Sequence, residues 1–198
     1  MKSDICKLSQ GAESLSALLD ETEKAASYSN LSKKDAGRLR LLAEELVGML
    51  PELLEFSDGE FWVESEGNKF ELHTELAPNE ALTSDKREKL LEVSSSGKNA
   101  SAKGIMAKIK LAAAFMMIDY ETNAADMPLG YGFYSDGLSG VNSFSAQAWS
   151  LAAYRNKAKK EQSEKWDELE RSIIANIADE VLVGIQGKKV EIIVKKSF

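Results

Sequence analysis

The chain holds one histidine, His73, and one cysteine, Cys6, among 198 residues. Those two counts remove most metal and nucleophile chemistry. Zinc sites of the His-Glu-x-x-His kind need two histidines one helical turn apart, and Cys-x-x-Cys sites need a second thiol. Any Ser-His-Asp or Cys-His arrangement would have to recruit His73. His73 alternates with Leu72 and Thr74, which puts it on the polar face of a strand, with no second histidine and no nearby cysteine. Catalysis or metal binding is not expected there. The best ligand site by residue type is the small, polar, lysine-bearing run from Ser94 to Lys103, which leads into an apolar segment. Backbone N–H groups at a helix start after Ser101, with Lys98 and Lys103 beside them, suit a phosphate or another anion. The same residues also make an ordinary polar loop with Ser101 as an N-cap. The run is not a phosphate-binding P-loop, because Ser94 to Lys98 lacks the upstream glycine and the following Ser or Thr, and no Gly-x-Gly-x-x-Gly occurs elsewhere. Ser95-x-x-Lys98 has the spacing of a penicillin-binding Ser-x-x-Lys without its companion motifs.

The rest of the composition narrows the class. A net charge of −7 argues against a nucleic-acid partner, which would call for a basic face. With 43% hydrophobic and 29% charged residues the chain is expected to fold around a proper core. The length fits one domain, or one domain carrying an insertion. The longest apolar stretch, Leu111 to Ile118, is too short to span a bilayer, and Met1-Lys2-Ser3-Asp4 opens no signal-peptide core. A cytoplasmic protein without a membrane partner is the expectation.

Periodicity assigns the elements that would position such sites. Leu15, Leu18, Leu19, Thr22 and Ala26 share a stripe, predicting a helix over 13–27. Asn30 and Leu31 break it. Ser32 is an N-cap with Asp35 three residues on, and Leu39, Leu42, Leu46, Met49 and Leu50 predict a second helix over 33–50 that ends or kinks at Pro51. Leu53, Leu54 and Phe56 suggest one further apolar turn. The period then changes to two. Strands at 60–65 and 69–76 across Glu66-Gly67-Asn68 predict an antiparallel hairpin, polar on one face and therefore covered on one side. Helices are expected at 84–92, 102–118, 144–160 and 161–178, the last burying Trp166, Leu169, Ile173 and Ile177. Trp149, Ala152 and Ala153 would face inward. A second hairpin, 180–185 and 189–195, closes the chain. The Gly- and aromatic-rich segment from Met127 to Phe144, within an insertion at about 119–160, suits a lid or partner-binding loop, or simply packs over one end of the sheet. The sum is an α/β (α+β) two-layer sandwich, with a mostly antiparallel or mixed sheet and helices on one face.

This order, with Leu31-Ser32-Lys33-Lys34-Asp35 leading into Arg38-Leu39-Arg40-Leu41-Leu42-Ala43-Glu44-Glu45-Leu46, resembles the GHKL superfamily of histidine kinase-like ATPases. Its closest likeness is to the anti-sigma-factor serine-kinase branch. The helix resembles the one bearing the family's Glu-x-x-x-Asn box. Ser96-Gly97-Lys98-Asn99-Ala100-Ser101-Ala102-Lys103-Gly104 resembles the glycine-bearing loop that sets a helix N-terminus against the ATP phosphates.

The resemblance implies a single domain over 1–198 with Glu44 as the catalytic carboxylate. It also implies a nucleotide or anion site at Ser96, Gly97, Lys98, Asn99, Ser101, Lys103 and Gly104. Glu44 equally fits a solvated ion pair with Lys34, Arg38 or Arg40 along the helix. Two departures bear on the chemistry. Gly48 stands where the family places its magnesium-holding Asn, and glycine has no side-chain oxygen. Where the family's Asp-x-Gly-x-Gly box would follow the hairpin, this chain has Glu75-Leu76-Ala77-Pro78-Asn79, without an Asp to read adenine. The implied function is a signalling or regulatory pseudoenzyme that binds a protein partner. Magnesium is not expected, ATP is the one cofactor the resemblance allows, and a homo-oligomer is compatible. The alternatives are an active ATP-dependent serine kinase or ATPase with an altered pocket, and an anion or nucleotide sensor without turnover.

Overall fold

The first long-range decision is a tight corner between two helices. Helix α1 (Glu13–Tyr28) ends as Asn30 turns to φ 53°, the left-handed conformation that asparagine tolerates better than most side chains. Leu31 N–H then donates to Ala26 O (3.0 Å) and Asn30 N–H to Ser27 O (3.0 Å), the paired closing bonds of a Schellman motif. Helix α2 (Lys33–Leu53) starts at once, with Asp35 N–H donating to Ser32 Oγ at 3.2 Å and the Ser32 hydroxyl donating to Asp35 Oδ2 at 2.7 Å. The predicted cap is therefore formed. Helix α2 does not stop at Pro51 but runs two residues further, and Phe56 opens a strand instead of joining an apolar turn. Proline's fixed φ fits a helix, and its missing N–H removes only one bond close to the helix end.

The structure, a computed structural model, describes residues 1–8, 13–53, 56–78, 147–161, 172–186 and 189–198. The remaining strands and helices are β1 (Cys6–Leu8), β2 (Phe56–Glu66), β3 (Lys69–Pro78), β4 (Gln147–Ser150), α3 (Leu151–Glu161), α4 (Ile173–Ile177), β5 (Glu180–Gln186) and β6 (Lys189–Ser197). Together the strands make a six-stranded sheet in the order β1-β2-β3-β6-β5-β4. Every neighbouring pair is antiparallel. Both expected hairpins lie in this one sheet. The first turns at Gly67, whose φ of 60° suits the leading position of a two-residue connection between Glu66 and Lys69.

Pleating sorts the sheet into two faces. Phe61, Val63, Phe70, Leu72, Leu76, Val181, Val183, Val190, Ile192 and Val194 are buried in one core with Leu18, Leu39, Leu42, Leu46 and Leu50 of the helices. This is the α+β arrangement with the described helices on one sheet face. On α1 the buried stripe is Leu18, Leu19, Thr22, Ala25 and Ala26, and the expected Leu15 is exposed. The Thr22 hydroxyl donates to Leu18 O at 2.9 Å, which removes its polarity from the core.

Three expectations are corrected. Residues 147–150 are strand β4, paired to β5, not the start of a helix. In α3, Leu151 and Tyr154 are buried, whereas Ala152 and Ala153 are exposed. In α4, Ile174 and Ala175 point inward and Ile173 is exposed, one position away from the expected stripe. The reason lies in the cap: Ser172 Oγ accepts from Ala175 N–H at 3.2 Å, so a fresh helical turn starts there and sets its own phase. The Arg155 guanidinium ties this turn to α3, donating to the carbonyls of Ala175, Ala178 and Asp179. Expectations for helices at 84–92 and 102–118, for the segment 119–140 and for residues 162–171 lie outside the described residues.

Two substitutions test the packing. A Cβ on Gly59 would sit 3.0 Å from Leu8 Cβ and from Leu76 Cδ2, so Gly59→Ala is expected to destabilise by about 1–3 kcal/mol. Ser32→Ala, which removes the α2 cap, should cost about 1 kcal/mol. Urea unfolding followed by far-UV circular dichroism measures both.

Candidate functional site

Two places among the described residues gather ionisable side chains. The first is the α2 surface that the family resemblance singled out. The Glu44 side chain is 40% exposed, and its Oε1 accepts from Arg40 Nε at 3.1 Å. Arg40 also pairs with Glu23 of α1, so the guanidinium bridges the two helices and Glu44 holds one end of the bridge. Of the partners the sequence offered Glu44, Arg40 is the one it uses, while Arg38 pairs with Asp35 at 3.5 Å. One turn on, Gly48 is exposed, and among the described residues nothing lies within 4 Å of where its Cβ would be. Strand β3 stays paired to its end, with Ala77 opposite Asp58 and Pro78 opposite Phe56. Glu75 is held by Lys189 Nζ at 2.9 Å. The site residues Ser96, Gly97, Lys98, Asn99, Ser101, Lys103 and Gly104 lie outside the described residues.

The second place is the sheet face turned away from the described helices. Register puts Trp62, His73, Ile193 and Leu182 in one row across β2, β3, β6 and β5. Flanking it are the rows Glu64, Glu71, Lys195, Glu180 and Glu60, Glu75, Glu191, Gly184. This is the polar face that the alternation implied, but its centre is not open to solvent: Trp62, His73, Glu191 and Ile193 are each at most 7% exposed. The His73 ring stacks on Trp62 with centroids 4.9 Å apart and planes within 8°. His73 Nδ1 lies 3.4 Å from Glu191 Oε1, and Nε2 lies 3.3 Å from Glu71 Oε2. The second contact has ion-pair distance but not hydrogen-bond direction, so Nε2 has no hydrogen-bond partner among the described residues. Lys2 Nζ sits over the Trp62 ring, 4.3 Å from its centroid, and Trp62 Nε1–H donates to Glu64 Oε1 at 2.9 Å.

These contacts set the protonation states. The Glu71 carboxyl is pulled down to about 2 by His73 and by Lys195, whose Nζ is 2.8 Å away, against the opposing effect of burial. For His73, burial disfavours the charged ring, but Glu191, Glu71 and Glu64 outweigh it and raise its pKa. The arrangement can hold a proton between carboxylates. It offers no nucleophile, and among the described residues no group of three or more His, Cys, Asp or Glu side chains is placed to hold a metal ion. Sequence reasoning placed His73 on the correct face and missed its partners. Trp62 and Glu71 could have been found from hairpin register, but Glu191 lies 118 positions away and carries no local signal.

Gly48→Ala fills open space in an exposed helix interior and should stabilise the protein by about 0.4–1 kcal/mol in urea unfolding. The lowered pKa of Glu71 gives stability that is present above pH 4.5, its ordinary value, and is lost as pH falls toward about 2. Glu71→Gln should flatten that part of an acid-unfolding curve, monitored by circular dichroism. No protein-family model, no curated protein and no solved structure matches the chain.

Proposed function

We propose that this chain is a regulatory protein built on a histidine kinase-like ATPase fold, that its nucleotide site is degenerate, and that it acts by binding a protein partner. The observation that carries this reading is the bare turn of α2 at Gly48. One turn after Glu44, where the resembling family supplies a magnesium-holding oxygen, the helix presents exposed backbone and empty space. Divalent magnesium needs oxygen ligands at short range, and glycine has no side-chain oxygen to supply one. Glu44 itself is engaged by Arg40, so its carboxylate is committed to joining α1 and α2 instead of activating a hydroxyl. The end of β3 presents Ala77 and Pro78 where an adenine-reading Asp would stand. The order of α2, hairpin and closing hairpin in one sheet supports the likeness to the family's scaffold. Among the described residues no helix is long and apolar enough to cross a membrane. The partner surface in this reading is the Gly- and aromatic-rich segment within 119–160.

Isothermal titration calorimetry with ATP, with and without Mg²⁺, tests the proposal. The expected result is no magnesium-dependent binding, and no rescue by Gly48→Asn, because the adenine contact is also missing. A micromolar Kd that depends on Mg²⁺ would overturn it in favour of an active serine kinase or ATPase. Thermal stabilisation by millimolar phosphate that is lost in the Lys98→Ala, Lys103→Ala double variant would instead favour an anion sensor, since a ligand bound only to the native state raises stability by mass action.

A further inference from the structure

The sheet face opposite the described helices carries three glutamates in one cross-strand row, Glu60 on β2, Glu75 on β3 and Glu191 on β6. Like charges directly opposite one another destabilise a sheet unless each is matched. Each is matched by a cation: Glu60 by Lys7, directly opposite it on β1, Glu75 by Lys189 at 2.9 Å, and Glu191 by His73 at 3.4 Å. The first two cations are lysines, which keep their charge to high pH. The third is an imidazole, which loses its charge near neutrality. Glu191 is also the most enclosed of the three, its side chain 10% exposed, and His73 is the one cation within ion-pair distance of it among the described residues.

The ring's own valence adds a second argument. His73 faces a carboxylate at both nitrogens, Glu191 at Nδ1 and Glu71 at Nε2. Neutral imidazole has one N–H and one lone pair, so either tautomer turns a lone pair toward a carboxylate. Only imidazolium sets positive charge against both carboxylates. Loss of the proton affects the two acids unequally. Glu71 keeps Lys195 at 2.8 Å, whereas Glu191 is left a buried carboxylate with no cation among the described residues, a state proteins avoid at high energetic cost.

We propose that His73 and Glu191, seated against Trp62 and Glu71, form a proton-operated latch across β2, β3 and β6, closed when His73 is charged and released when it is neutral. Among the described residues, the charged and titratable groups facing it are Glu71 and Glu75 from β3, Glu60 and Glu64 from β2, Glu191, Lys189 and Lys195 from β6, Glu180 from β5, and Lys2 over Trp62. In sum they are acidic, which agrees with the raised pKa of the ring. The sign follows from linkage. A histidine whose pKa is higher folded than unfolded gives stability fully present below about 6.5, the unfolded value, and lost as pH rises through the folded value.

Because the chain has one histidine, the imidazole signals in an NMR pH titration of the native protein belong to His73 without further assignment. The expected result is a midpoint above 6.5, accompanied by a fall of about 2–4 °C in melting temperature as pH rises through that midpoint. Glu191→Gln keeps the shape of the side chain and removes its charge. It should move the His73 midpoint down and flatten the alkaline fall, and His73→Gln should abolish the fall. A native-protein midpoint at or below 6.5, a melting temperature that does not change over this range, or an unaltered fall in Glu191→Gln would each overturn the latch. If either variant fails to fold, the titration and melting curve of the native protein decide the question alone.

Discussion

The register between β3 and β6 is the constraint on which the rest of the molecule depends. It runs from Lys69 opposite Ser197 to Leu76 opposite Val190 and joins residues more than a hundred positions apart. One residue of slippage would exchange the two faces of the strand. In the observed register Leu72 meets Val194 and Thr74 meets Ile192 beneath the helices, while His73 meets Ile193 and Glu75 meets Glu191 on the other side. The apolar core and the buried ionic row are therefore fixed by the same set of backbone hydrogen bonds. Lys195 on Glu71 and Lys189 on Glu75 reinforce that register from the polar side, where both partners reach across the same strand pair.

The two faces are stabilised by different physics. Under α1 and α2 the contact is aliphatic and aromatic, with Phe61, Phe70 and Leu72 against Leu39, Leu42 and Leu46, and it scales with the apolar area removed from water. On the opposite face the enclosed groups include a stacked Trp–His pair and a glutamate, whose burial is favourable only while charges and hydrogen bonds are matched. The second face accordingly carries Glu60, Glu64 and Glu71, whose pKa values are lowered by the cations and hydrogen-bond donors beside them.

Helix α2 links these layers to the proposed function. Its buried side, Leu39 to Leu50, holds it to the core, and its corner with α1 is set by the Asn30 turn and the Ser32 cap. What is left exposed on the following turns is a carboxylate already joined to Arg40 and, at Gly48, a position without a side chain. The proposed loss of magnesium binding rests on that bare position of a firmly seated helix.

The sequence by itself determined the local structure. The extent of α1, the start of α2, the cap at Ser32, the turn at Gly67 and the paired strands of both hairpins were legible, because capping, glycine turns and 3.6- or two-residue periodicity act over a few positions. Arg40 as a partner of Glu44 was legible for the same reason, since the two lie one turn apart. Tertiary structure decided what depends on distant partners. Strands β1 and β4 are three and four residues long and carry no period of their own, so they exist as strands because β2 and β5 offer them an edge. The same holds for Glu23 on Arg40 and, above all, for Glu191 on His73. Alternation could assign His73 to a face. Only the β3–β6 register could bury it there between two carboxylates, because burial and charge matching are properties of neighbours in space and not of neighbours in the chain.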